Sequence, residues 1–306
     1  MAPIHTDNRL AVPVILVTVL ALSFGDALIK QISAELVLWQ IFVLRSALAL
    51  PVLIVILRTR YAAESLVPKV PVWTAVRSLM LVAMWIAYYA ALPHVPLSIA
   101  AATYYTLPIF ITLFSAVFVG ERVKPAGWLA VLLGFVGVLL ILKPVAAAFN
   151  HYALLPLVSA VLFALAMILT RTKCRGEHPL VLSGALNVAF ILVGVIATLV
   201  LRGGESGRDA MAFLSPTWTS VSRTELLAIT VLAVTILVGS VGAAIAYQLG
   251  ASSVVATFDF AYVGFATLWG LVFFSEFPDA LAVGGMVLIV VAGVAAVRQG
   301  AKADSH

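Results

Sequence analysis

Residues 88–142 read YYAALPHVPLSIAAATYYTLPIFITLFSAVFVGERVKPAGWLAVLLGFVGVLLIL. An apolar helix ends in a turn holding Pro93, His94 and Pro96. A second apolar run fills 97–119, and the tight charged turn Gly120-Glu121-Arg122 leads into a third. Runs of this length at 1.5 Å per residue span the roughly 30 Å hydrocarbon layer of a bilayer. A degenerate copy starts at Tyr247: YQLGASSVVATFDFAYVGFATLWGLVFFSEFPDALAVGGMVLIVVAGVAAV. Phe118 and Glu121 align with Phe273 and Glu276, and Tyr104 aligns with Asp259.

Composition agrees with that reading. The 306 residues are 63% hydrophobic and 10% charged, with a mean hydropathy of +1.16. Soluble chains are nearer a quarter charged. A transmembrane barrel would alternate polar and apolar residues over about ten positions, and this chain does not. The expectation is an all-α integral membrane protein. Its net charge of +5 reflects basic loops at one membrane face, so the expected surroundings are a lipid bilayer and not nucleic acid. One cysteine, Cys174, excludes an internal disulfide and a Cys-rich metal site. The first apolar run lacks a strongly basic leader and continues past Asp26 to Lys30, so it reads as a retained helix and not a signal peptide.

Ten spans are predicted, at 10–30, 36–57, 71–92, 97–119, 125–142, 150–170, 179–201, 224–248, 253–274 and 279–297. With the N-terminus inside, inner loops carry twelve Lys and Arg residues and outer loops five, with Arg45 inside a span. That bias places both termini in the cytoplasm. The repeat extends further: Pro13 and Lys30 match Pro156 and Lys173 at one offset, and Leu57-Arg58 matches Leu201-Arg202 with one insertion. Residues 1–147 and 148–306 are therefore expected to be two five-helix halves. Five is odd, so the halves enter the membrane from opposite sides, as in transporters with inverted repeats and a site near mid-membrane.

The two halves, the run Pro96-Leu97-Ser98-Ile99-Ala100-Ala101 opening span 4 and Gly120-Glu121-Arg122 closing it resemble the EamA-type members of the drug/metabolite transporter superfamily. The resemblance covers nearly the whole chain, and within the family it leans toward the YddG-type amino-acid exporters of the bacterial inner membrane. It implies a ten-helix basket around a central cavity lined by spans 1, 3, 4, 6, 8 and 9, with spans 5 and 10 more peripheral. The second half departs from the family pattern: its turn is Ser275-Glu276-Phe277, and Leu249-Gly250-Ala251-Ser252-Ser253 lacks the two prolines.

Polar groups inside spans are costly and face the bundle interior. Asp26 in span 1 either pairs with Lys30 one turn later or contacts a substrate ammonium or takes up a proton. Asp259 in span 9, with no basic residue within two turns, is a second proton acceptor or ammonium ligand, or else a structural hydrogen-bonding group. Trp85, Tyr88 and Tyr89 share one face of span 3. Tyr104 and Tyr105 face them from span 4, with Tyr247, Gln248 and Tyr262 as second-half counterparts. A tyrosine cluster suggests a cavity with a polar lining; the competing expectation, an interfacial aromatic belt, applies most to Tyr88, Tyr89 and Tyr247. Arg45 in span 2 needs an anion or carbonyls, either a substrate carboxylate or, as favoured here, a structural pair with Asp26 or Asp259. Trp39, Gln40 and Asn187 are weaker candidates of the same kind. Glu121-Arg122 and Glu276 read as caps for the helices that follow. Pro108 frees a backbone carbonyl in span 4 and is a hinge candidate. His94 and His151 are read as solvated loop residues, with pH-sensitive gating as the alternative.

The functional expectation is a secondary exporter of aromatic and apolar amino acids and related small metabolites, working by alternating access. The alternative is the same fold carrying a nucleotide sugar, a purine or a lipid-linked sugar; a bisphosphate cargo would want several cavity cations, and Arg45 alone qualifies. No ATP-binding loop is present, and no clustered groups suit an enzyme. No cofactor or metal is expected. Oligomeric state stays open, with a monomer compatible: Gly127, Gly134 and Gly137 on span 5 and Gly284, Gly285 and Gly293 on span 10 suit close packing between or within subunits.

Overall fold

The computed structural model describes residues 8–61, 65–119, 125–142, 150–174, 176–201, 212–215, 217–249 and 258–303. The Gly120-Glu121-Arg122 turn lies outside the described residues, as do the side chains of Pro108, Gly127, Tyr247, Gln248 and Gly293. The helices are α1 (Asn8–Ile32), α2 (Leu38–Arg60), α3 (Pro71–Ala91), α4 (Leu97–Tyr104), α5 (Leu107–Phe114), α6 (Pro125–Leu142), α7 (Leu155–Thr172), α8 (Pro179–Leu201), α9 (Arg223–Leu249), α10 (Ala261–Phe274) and α11 (Ala280–Ala303). Counting α4 and α5 as one, they make an all-helical membrane protein of ten spans, in the order read from the sequence. Among the described residues, six runs are long and apolar enough to cross a bilayer by length and composition alone. Large apolar side chains stand exposed on the outer surface, Leu132 and Leu139 on α6 and Leu227 on α9 among them. That is the arrangement a lipid solvent requires.

Proline starts several helices, at Pro71, Pro125 and Pro179, where the missing N–H is no loss. Inside span 4 it acts differently. Pro108 cannot donate to the carbonyl four residues back, and the span breaks into α4 and α5 around Tyr105 and Thr106. There Tyr105 N–H returns to Ala101 O, Thr106 Oγ1 donates to Thr103 O at 2.7 Å, and Ile109 N–H reaches Thr106 O at 2.9 Å. A π-helical turn, Ser115–Val119, ends the span.

The principal helix pairs are α6 with α11, α1 with α9, α3 with α7, and α2 with α8; α1 also packs on α10, and α5 and α4 on α7. Exchanging the two halves maps this set of pairs onto itself. Small residues permit the closest approaches. A Cβ on Gly242 of α9 would lie 2.1 Å from Thr18 Oγ1 on α1, and one on Gly285 of α11 would lie 2.6 Å from Gly137 O on α6. Gly134, Gly137 and Gly285 thus serve packing within one chain, whereas Gly284 faces open space.

Candidate functional site

Asp26 sits on α1, 4% exposed. It does not pair with Lys30. The hydroxyl of Tyr262 on α10 donates to its Oδ2, and Tyr89 on α3 hydrogen-bonds the same carboxylate. Each phenol has one proton to give. Tyr262, having given its proton to Asp26, accepts from Tyr88 at 3.3 Å. Tyr89 likewise accepts from Arg45 Nη1 on α2 at 3.5 Å. Four spans thus converge on one buried carboxylate. The expected Arg45–Asp26 pair is present only at one remove, through the Tyr89 hydroxyl.

The aromatic rings form a continuous wall. Trp85 packs on Tyr89 with centroids 4.8 Å apart, and Tyr88 meets Tyr104 at 5.3 Å. Tyr104 meets Tyr105 at 5.7 Å, and Tyr105 stacks on Tyr262 at 4.9 Å. Tyr88 and Tyr89 are 2% and 1% exposed, which corrects the aromatic-belt expectation: α3 continues to Ala91 and turns their face into the bundle. Asp259, partly exposed just before α10, hydrogen-bonds Tyr105. The structure therefore brings together Asp26, Trp85, Tyr88, Tyr89, Tyr104, Tyr105, Asp259 and Tyr262, and joins Arg45 to them. Phe163 of α7, not singled out in the sequence, meets Tyr104 at 5.9 Å.

Lys30 and Glu276 form a second polar group. Lys30 Nζ pairs with Glu276 Oε1 and donates to Val95 O at 2.7 Å. Glu276 Oε2 accepts from Leu97 N–H at 2.8 Å. This corrects the capping expectation, since Glu276 caps α4 in the other half and not the helix that follows it. Ser275, in the left-handed region at φ 53°, ends α10 and lets the chain turn back to make this reach. The latch ties the end of α1, the α3–α4 turn and the α10–α11 turn. Glu276→Ala strands both the Lys30 charge and the Leu97 N–H. It is expected to lower stability by about 2 kcal/mol, read as a drop in the thermal unfolding midpoint in detergent. Glu276→Gln, which keeps the cap acceptor, should lose less; equal melting of all three proteins would contradict the latch.

Other candidates lie elsewhere. Trp39 Nε1 donates to Leu214 O at 3.0 Å and Gln40 Nε2 to Thr219 O at 2.9 Å. Both anchor the segment before α9 and take no part in the site. Asn187 Nδ2 bonds its own helix at Ser183 O. His94 stacks on Tyr152 with centroids 3.9 Å apart, and its carbonyl accepts from Asn150 Nδ2 at 2.6 Å; it is a packed turn residue and not simply a solvated one. His151 is exposed. A cleft of about 540 Å³ opens between α2, α3 and α8, away from the polar cluster, with walls such as Leu53, Ile54, Val181, Leu192 and Ile196. Among the described residues no three His, Cys, Asp or Glu side chains gather as metal ligands would.

The sequence profile of the EamA-like transporter family matches residues 9–143. The pseudopaline exporter CntI of Pseudomonas aeruginosa is 32% identical over 277 residues, 90% of this chain and 92% of that protein. The riboflavin transporter of Rhizobium johnstonii is 37% identical over 108 residues, 35% of this chain and 36% of its own. The S-adenosylmethionine uptake transporter of Rickettsia conorii is 22% identical over 236 residues, 75% of this chain and 73% of its own. A solved crystal structure, 20% identical, superposes with a TM-score of 0.64 over 94% of this chain and 95% of that one.

Proposed function

The chain belongs to the EamA-like transporter family, and we propose accordingly that it exports amino acids, chiefly apolar and aromatic ones, and related small metabolites across the bacterial inner membrane. The family makes it a multi-pass secondary transporter of small molecules and not an enzyme. One observation carries the finer reading: a buried carboxylate, Asp26, set in a cage of aromatic side chains from α3, α4 and α10. A carboxylate suits an ammonium group, and the rings suit an apolar side chain. Export is favoured by the likeness, over nine-tenths of this chain, to a protein named as an exporter.

On this reading residues 1–147 and 148–306 are inverted repeats, and both termini are cytoplasmic. The exchange symmetry of the helix pairs supports the repeats. Alternating access rocks the halves against each other, with Pro108 at the α4–α5 break as hinge and the Lys30–Glu276 latch closing the outer end. Asp26 and Asp259 are the two groups that can carry a proton against substrate.

The test uses cells fed a phenylalanine-containing dipeptide, which they split internally. Cells producing the protein should release free phenylalanine faster than cells without it. Equal release, with the protein shown to be in the membrane, would remove the export reading. In the same assay Asp259→Asn is expected to abolish the dependence of efflux on external pH; undiminished efflux at every pH would take Asp259 out of the mechanism.

A further inference from the structure

Arg45 is fully buried, yet at least three of its five N–H donors find no partner among the described residues. Two neighbouring rings flank it on one side, with Phe190 of α8 centred 4.7 Å and Phe42 of α2 5.6 Å from the guanidinium carbon and the rings themselves 4.6 Å apart. Nη1 makes one long hydrogen bond, 3.5 Å, to Tyr89. Nε and Nη2 have no hydrogen-bond partner among the described residues. These two nitrogens share one edge of the guanidinium and point their N–H bonds side by side. That edge meets a carboxylate with two parallel hydrogen bonds.

An arginine kept only for structure would have carbonyls on that edge, because a buried charge with idle donors is strongly destabilising. Asp26 does not fill it. That carboxylate is held by Tyr262 and Tyr89 and meets Arg45 only through the Tyr89 hydroxyl. The result is a negative group and a positive group held one phenol oxygen apart, each on a different helix, beside an aromatic wall. An α-amino acid carries the complementary pair, an ammonium and a carboxylate separated by one carbon.

We propose that the Nε/Nη2 edge of Arg45 docks the substrate carboxylate while Asp26 takes the ammonium, so that Asp26, Tyr89 and Arg45 form a receptor for the zwitterion. Tyr89 is the stand-in ligand of the empty state. It gives up its contacts to the two charges when the substrate arrives. The edge is sealed in the present conformation, so α2, α3 and α8 must part to admit the substrate. This inference rests on the amino-acid reading above.

The experiment titrates the purified full chain with three probes: L-leucine, L-leucinamide, which lacks the carboxylate, and 4-methylpentanoate, which lacks the ammonium. Trp85, packed on Tyr89, provides the fluorescence readout. Wild type should bind leucine at least about tenfold more tightly than leucinamide. Arg45→Gln should bring the two to parity. Arg45→Lys keeps the charge but loses the two-bond edge, and should fall in between; it also serves if the glutamine variant does not fold. Asp26→Asn should weaken leucine while leaving 4-methylpentanoate unchanged. Wild-type protein that binds leucine and leucinamide equally, or a folded Arg45 variant that keeps the full preference, would overturn the docking role and leave the amino-acid reading standing. Failure of wild type to bind any of the three would sink the amino-acid reading and the docking role with it.

Discussion

Asp26→Asn is expected to reduce amino-acid flux by about a hundredfold in protein that still folds. The magnitude follows from what the substitution removes. Asparagine has the same shape and can still accept from Tyr262 through its amide oxygen. It cannot supply the counter-charge, and an ammonium left without one in a buried site loses about 3 kcal/mol, or roughly two factors of ten. Tyr262→Phe separates the two contributions. It deletes one donor to Asp26 and leaves the carboxylate in place, so flux should fall by only about tenfold. Initial rates in proteoliposomes, normalised to inserted protein, give both numbers. An Asp26→Asn variant transporting at the wild-type rate would remove Asp26 from the substrate site.

Gly285→Val is expected to produce a large loss of stability. A Cβ on Gly285 would lie 2.6 Å from Gly137 O and 2.7 Å from Ile141 Cγ1. The isoleucine can rotate away, but a backbone oxygen cannot, so α6 and α11 must separate along a contact that closes one side of the bundle. Overpacking of this kind costs about 3 kcal/mol. Its neighbour is the control: a Cβ on Gly284 meets nothing within 4 Å, and Gly284→Val should melt like wild type. Thermal unfolding in one detergent, followed by size-exclusion chromatography, compares the pair. Similar melting of both variants would mean that α6 and α11 do not pack as described.

Much of this was legible in the sequence because lipid imposes a simple code. A span must be long and apolar, so all ten could be drawn, and the alignment of Glu121 with Glu276 is what first suggests the proposed repeat. The facing of Trp85, Tyr88 and Tyr89 followed from helical spacing alone. Contacts between distant parts of the chain could not be read this way. Nothing local in Asp26-Ala27-Leu28-Ile29-Lys30 says that the acid turns inward to Tyr262 while the base reaches Glu276, each partner more than two hundred residues away. The nearest opposite charge was the natural choice, and tertiary packing overrode it. Tyr88 and Tyr89 stand near a helix end, which suggests an interface; their contacts with α1, α2, α4 and α10 bury them instead. Glu276 was recognised as a cap, but which helix it caps depends on how the halves meet. Arg45 was recognised as needing an anion. That its Nε/Nη2 edge has no partner among the described residues could be seen only once the neighbouring side chains were placed.

Whether this bundle carries amino acids through a site built around Asp26 is decided by counterflow. Proteoliposomes loaded with unlabelled phenylalanine are given trace labelled amino acids outside, with and without a pH gradient. Several apolar and aromatic amino acids should accumulate transiently, Asp26→Asn should abolish that accumulation, and a labelled nucleotide sugar should show none. No amino-acid counterflow in folded, correctly inserted protein would leave the family and the fold standing and remove the cargo assigned to them.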